Sequence, residues 1–197
     1  MSKRRFSKTL GRKTHSDTEK AISTLSEEEA LELIRTSADE PFLLILDQVQ
    51  DPRNLGACLR SADAAGVTLV IIPADRSAGI SEVVRHVAAG AAETLNIARV
   101  RNLANFMNEL NFLGIKLLGT SDQAKHSLYE VDWTGPMALI MGAEGSGIRR
   151  LTADKCDELI QIPMKGSVHC LNVSVATGVC LFEGLRQRSR GKFSSGL

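Results

Sequence analysis

Short apolar runs, each closed by a turn signal and most followed by a helical stretch, limit what this chain can fold into. Residues 42–46 are apolar throughout, and Asp51-Pro52 breaks the chain soon after. Residues 68–72 are closed by Pro73, and 115–119, 137–141 and the short 159–162 repeat the pattern; residues 94–98 read as a further strand. A strand that is apolar at every position, not at alternate ones, is buried on both faces. Between these runs, residues 54–65 are Ala-rich and helix-like, and 80–88 read as helix. Residues 103–112 place Leu103, Phe106, Met107 and Leu110 at helical spacing. A long helix over 173–187 follows, with apolar Val175, Val179, Leu181, Phe182 and Leu185. Buried strands alternating with helices predict an α/β fold, a mainly parallel sheet with helices on both faces. Ahead of the sheet, Ser26 and Glu29 form a capping-box pair for a short helix carrying Leu31, Leu33 and Ile34.

The net charge of +1 hides an uneven distribution. Residues 1–20 hold seven Lys/Arg against two acids, and residues 184–197 hold four against none. Ends of +5 and +4 within a total of +1 leave −8 on the body between them. Basic ends on an acidic body are expected where a chain touches a polyanion. Three parts follow: a basic arm and short helix over 1–40, the sheet-bearing domain over 41–190, and a short polar tail over 191–197. Nothing approaches the ~20 apolar residues of a membrane span, and no apolar segment follows the basic N-terminus to make a signal peptide. A cytoplasmic protein without membrane contact is the expectation. Cys58, Cys156, Cys170 and Cys180 form no C-x-x-C pair, and His15, His86, His126 and His169 are scattered. No metal site is expected, and most of the cysteines read as small buried hydrophobes.

In open parallel sheets, ligands bind where loops leave the carboxyl ends of the strands. Three such segments are dense in glycine and polar residues. The first runs from Asp51 to Arg60: Asn54 is placed to cap a helix, Gly56 permits close approach, and Arg60 sits two turns in. An exposed helix start beside Arg53 and Arg60 also suits phosphate. The second, Gly142-Ala143-Glu144-Gly145-Ser146-Gly147, matches neither G-x-G-x-x-G nor a Walker loop, which disfavours NAD and ATP. Glu144 there is either a first-turn helix acid or a ligand-binding acid. The third runs from Ile162 to Ser174, with Asn172 or a near neighbour placed to cap the last helix.

Taken together and in this order, the three segments resemble the motifs of the SpoU (TrmH-type) RNA 2′-O-ribose methyltransferases. The likeness rests on Asn54-x-Gly56-x-x-x-Arg60, on Met141-Gly142-Ala143-Glu144-Gly145, and on Ile162-Pro163-Met164 leading to Leu171-Asn172-Val173-Ser174-Val175-Ala176. It spans roughly residues 42–188 and is closest to bacterial enzymes that methylate a guanosine ribose in large-subunit ribosomal RNA. The resemblance implies a deep trefoil-knotted domain, S-adenosylmethionine as methyl donor, RNA as substrate and a homodimer. It implies cofactor contacts at Thr120, Gly142, Ile162, Met164 and Leu171. Catalytic or site-supporting roles fall on Arg60, Asn54, Glu144, Asn172 and Ser174. With RNA as partner, the candidate contacts are Arg4, Arg5, Lys8, Arg12, Lys13, Arg53 and Arg60. Two departures stand out: the ribosomal RNA enzymes carry an N-terminal RNA-binding domain where ~40 residues precede the sheet here, and Cys170 stands where many relatives have serine. The alternatives are methylation of transfer RNA, a non-catalytic RNA-binding protein on the same fold, and a nucleotide-using metabolic enzyme.

Overall fold

The computed structural model describes residues 22–145 and 147–189. Strand β1 (Phe42–Asp47) is buried at every position, and its side chains alternate between two cores. Phe42, Leu44 and Leu46 enter one cluster, Leu43 and Ile45 the other. β6 (Met137–Gly142) repeats the division, with Met137, Leu139 and Met141 on one side and Ala138 and Ile140 on the other. A period-2 backbone with apolar groups on both faces needs cover on both, and each such buried Leu or Ile contributes about 1.5–3 kcal/mol.

The remaining strands are β2 (Leu69–Pro73), β3 (Ile97–Val100), β4 (Lys116–Thr120), β5 (His126–Ser127) and β7 (Glu158–Gln161). They form one seven-stranded sheet in the order β3-β2-β1-β6-β4-β7-β5. Every pairing is parallel. The carboxyl ends of β1, β6, β4 and β7 therefore lie side by side, and the loops that leave them share one edge.

Helices α2 (Pro52–Ala64), α3 (Glu82–Ala88), α4 (Ala91–Thr94) and α7 (Val173–Arg188) cover the first face, and α1 (Glu27–Arg35) and α5 (Leu103–Phe112) the second. α1 has the expected capping box, with Ser26 N–H donating to Glu29 at 2.7 Å and Glu29 N–H to Ser26 Oγ at 3.3 Å. α6 (Arg150–Ala153) is a single turn after the glycine-rich loop. Gly56 lets α2 and α3 touch, because a Cβ there would lie 2.8 Å from the Val84 carbonyl oxygen.

Four local expectations shift. α2 starts at Pro52, not 54, because Asp51 caps it by accepting from the Arg53 N–H at 2.8 Å and Pro is preset for a first helical turn. Asn54 is thus not the cap. The third strand starts at Ile97, since residues 91–94 form a helical turn. Between β4 and β6 the chain adds the two-residue β5, too short to show in the sequence pattern. On α7, Val175 and Phe182 are about half exposed (52% and 49%), while Thr177 and Glu183 are buried. The C-terminal arginines also have structural partners: Arg186 forks onto Glu183, and Arg188 donates to the Glu40 carbonyl and lies 5.1 Å from the Phe42 ring centroid.

Candidate active site

Freed from capping, Asn54 faces across to the glycine-rich loop and donates to Glu144 Oε1 at 2.8 Å. Asn172 donates to the same oxygen at 2.6 Å and to Asn54 Oδ1 at 3.1 Å. Asn172 is also the N-cap of α7, as expected: its Oδ1 accepts from Ser174 N–H at 2.9 Å and Ser174 Oγ at 2.6 Å. Four of the five candidate catalytic residues thus form one hydrogen-bonded cluster built from three distant segments. Glu144 in this turn is no helix-start acid; it is the acceptor that ties α2 to α7.

The loop bearing Glu144 is a tight hairpin. Ala143 and Gly147 exchange backbone hydrogen bonds at 3.1 and 2.9 Å. A Cβ on Gly142 would lie 2.0 Å from the Gly147 carbonyl carbon, so only glycine closes the turn. At its far end the loop is pinned by a residue that the sequence reading missed. Asp47, wholly buried at the end of β1, pairs in register with Gly142. It accepts from Arg149 N–H at 3.2 Å, Arg149 Nε at 2.8 Å and Thr152 Oγ1 at 2.8 Å, and Arg149 Nη2 lies 2.7 Å away. The signal available was an acid ending an apolar strand, a position that demands a cationic partner.

Arg60, the fifth candidate, is exposed on α2 and makes no hydrogen bond or ion pair among the described residues. Arg53 is also exposed, and residues seven apart return to the same helix face two turns on. The two arginines therefore share one exposed face of α2, the helix that also carries Asn54. Arg4, Arg5, Lys8, Arg12 and Lys13 lie outside the described residues.

Of the candidate cofactor positions, Thr120 ends β4, Gly142 ends β6, and Ile162 follows β7 directly. These strands are neighbours, with Gly119 opposite Ile140 and Thr120 opposite Ile160. Thr120 Oγ1 donates to the Ile140 carbonyl at 3.1 Å, holding the two strand ends together. Ile162, Met164 and Leu171 are half-buried. A row of strand-end backbone groups flanked by half-buried apolar side chains fits a ligand with a flat heteroaromatic part and a polar tail. Burial pushes the Cys58 thiol up to about 11 and those of Cys156 and Cys180 to about 12, so these three serve as packing groups. Cys170 is exposed.

A cleft of about 370 Å³ opens against the cluster, lined by Gln48, Gln50, Asp51, Asn54 and Glu144 with apolar Val49, Ala143 and Val173.

The SpoU rRNA Methylase family model matches residues 41–182. The 23S rRNA (guanosine-2′-O-)-methyltransferase RlmB of Escherichia coli strain K12 is 61% identical over 153 residues, which cover 78% of this chain and 63% of that protein. The SpoU methyltransferase AviRb from Streptomyces viridochromogenes, crystallised with AdoMet, superimposes with a TM-score of 0.73 at 29% identity, over 80% of this chain and 64% of that one. The A. aeolicus TrmH/SpoU tRNA modifying enzyme gives 0.71 at 29% identity, over 83% and 85%. The chain spans slightly less than two thirds of the length of the E. coli relative.

Proposed function

The chain belongs to the SpoU rRNA methylase family, and from that membership we propose that it moves a methyl group from S-adenosylmethionine to the 2′-hydroxyl of a guanosine ribose in large-subunit ribosomal RNA. The observation that carries the reading is the Asn54–Glu144–Asn172–Ser174 cluster, with Arg60 exposed six residues on from Asn54 along α2. A metabolic nucleotide enzyme has no comparable support, since its phosphate loops are missing.

S-adenosylmethionine, when bound, supplies a methyl group already activated on a sulfonium sulfur. The backbone at Gly142, Ile162 and Leu171, with Thr120 and Met164 beside it, is assigned to hold it. The chain's remaining task is to orient the ribose and to manage the 2′-hydroxyl proton. Alignment of reactants alone is worth about 7–11 kcal/mol. A guanidinium stays charged in proteins and is a poor base, so Arg60 is assigned to stabilise the forming 2′-alkoxide. Glu144 has one oxygen engaged by two amides, which suits an orienting role better than proton removal.

Two further parts belong to this reading. Val175 and Phe182, seven apart on α7, leave half-exposed apolar surface suited to a second copy of the chain. The family's trefoil knot is part of the same reading, and the sheet order, with β6 between β1 and β4, is compatible with it. No helix among the described residues is long and apolar enough to cross a membrane, in keeping with work on RNA in the cytoplasm.

The test is to incubate the chain with labelled S-adenosylmethionine and total RNA from cells lacking the enzyme, then digest to nucleosides. Label is expected in 2′-O-methylguanosine from large-subunit RNA. Label in transfer RNA would redirect the substrate, and RNA binding without transfer would leave only a binding protein. Arg60→Ala should cut the rate by about 10²–10³-fold, the cost of removing a charge-stabilising donor; near wild-type transfer would refute its role.

A further inference from the structure

The cleft against the cluster has properties that methyl transfer to a ribose does not use. Its lining holds two carboxylates, Asp51 and Glu144, three carboxamides and no cationic side chain. That composition repels phosphate and suits a neutral group rich in N–H donors. Val49 and Val173 supply apolar wall against which a flat ring can lie.

Two residues in that lining stand out. Gln48 has φ +66°, the left-handed region that a glutamine adopts only at a cost, and its side-chain Nε2 is buried with no hydrogen-bond partner. Strained backbone and orphaned buried donors concentrate where a ligand arrives to use them. Asp51 spends Oδ1 on the Arg53 N–H. Its second oxygen has no partner among the described residues. A carboxylate acceptor and an amide donor on one cleft match a specific molecular edge. Guanine presents two adjacent donors, ring N1–H and the exocyclic amine, next to the acceptor O6. Adenine presents an unprotonated N1 and an amine in place of O6, which sets like against like at both residues.

We propose that this cleft takes the base of the target nucleotide and reads it as guanine, the Asp51 carboxylate accepting from N1–H and the exocyclic amine while the Gln48 carboxamide donates to O6. The proposal rests on the RNA methyltransferase reading above and names the residues that give it base selectivity. The cleft borders Asn54 and Glu144, so a nucleotide with its ribose at the cluster has its base within reach of both residues.

Two variants separate recognition from structure. Asp51→Asn keeps the helix cap, since Asn and Asp cap equally well, but replaces the acceptor that reads N1–H and the amine. Gln48→Gly relieves the left-handed backbone and deletes the carboxamide. The readout is kcat/KM on an RNA carrying guanosine or inosine at the methylated position, with a thermal melt of each protein. Inosine lacks only the exocyclic amine, and the wild-type chain is expected to use it about tenfold less well, the worth of one hydrogen bond to a charged group. Asp51→Asn should shrink that preference to about twofold or less, and Gln48→Gly should lower kcat/KM on both RNAs by about tenfold with an undiminished melting temperature. Unchanged guanosine preference in Asp51→Asn, or wild-type kcat/KM in Gln48→Gly, overturns the proposal while leaving the methyltransferase reading intact. A wild-type chain that transfers no methyl group to any RNA overturns both.

Discussion

Two carboxylates hold opposite ends of the same loop in opposite surroundings. Asp47 is wholly buried, and its two oxygens receive two donors from the Arg149 side chain, one from its backbone and the Thr152 hydroxyl. Glu144 is exposed, and one of its oxygens takes two amide donors from helices on either side. A buried charge costs several kcal/mol unless every lone pair finds a partner, which explains why Asp47 is saturated. An exposed charge has water as an alternative, so the Glu144 contacts add little stability and instead fix where three side chains point. The difference assigns stability to one end of the loop and, on the proposed function, the orienting of the site to the other.

Asp47→Ala is the sharpest challenge to that division. Breaking a buried pair costs about 3–5 kcal/mol, and the lower end applies because the Arg149 side chain is 43% exposed and can turn to water. Urea denaturation should therefore show a loss of about 3 kcal/mol, with the loop end released. An unchanged midpoint and slope would mean that the loop is held elsewhere. Glu144→Ala should do the reverse. Its denaturation curve should overlay the wild type, while methyl transfer falls by about 10²-fold through lost orientation of the site. S-adenosylmethionine affinity by calorimetry should change little, because no proposed cofactor contact is touched. A tenfold weaker cofactor affinity would place Glu144 in the cofactor site and dissolve the contrast.

How far these two ends could be read from sequence differs for a physical reason. Local patterns speak for elements whose signal is contained within them. α5 has the predicted bounds 103–112, because Asn102 caps it and four apolar residues recur at helical spacing. α4, α6 and β5 are two to four residues long, too short to show any period. Asn54 was assigned to capping because Asp51-Pro52 read as a break, whereas an Asp cap followed by Pro starts the helix. The cluster itself joins residues 90 and 118 positions apart. Such pairings leave no trace in periodicity, so only the family motifs brought Asn54, Glu144 and Asn172 together in advance. The Asp47–Arg149 pin lies in none of those motifs and became visible only in the folded chain.

Asn172 belongs to both ends of the comparison, and splitting its roles sharpens it. Its oxygen caps α7 through Ser174, and its amide nitrogen donates to Glu144 and Asn54. Asn172→Ala removes both and should cost about 1 kcal/mol of stability, the usual worth of a cap, along with most activity. Asn172→Asp restores the capping oxygen, since Asp and Asn are equivalent caps, but it removes the donor and sets a second carboxylate beside Glu144. Stability should return to within about 0.5 kcal/mol of wild type, because repulsion between exposed charges is weak in water. Activity should stay at the level of the Ala variant. Recovery of both together would mean that the cap alone sustains the site, and that the bond from Asn172 to Glu144 is incidental.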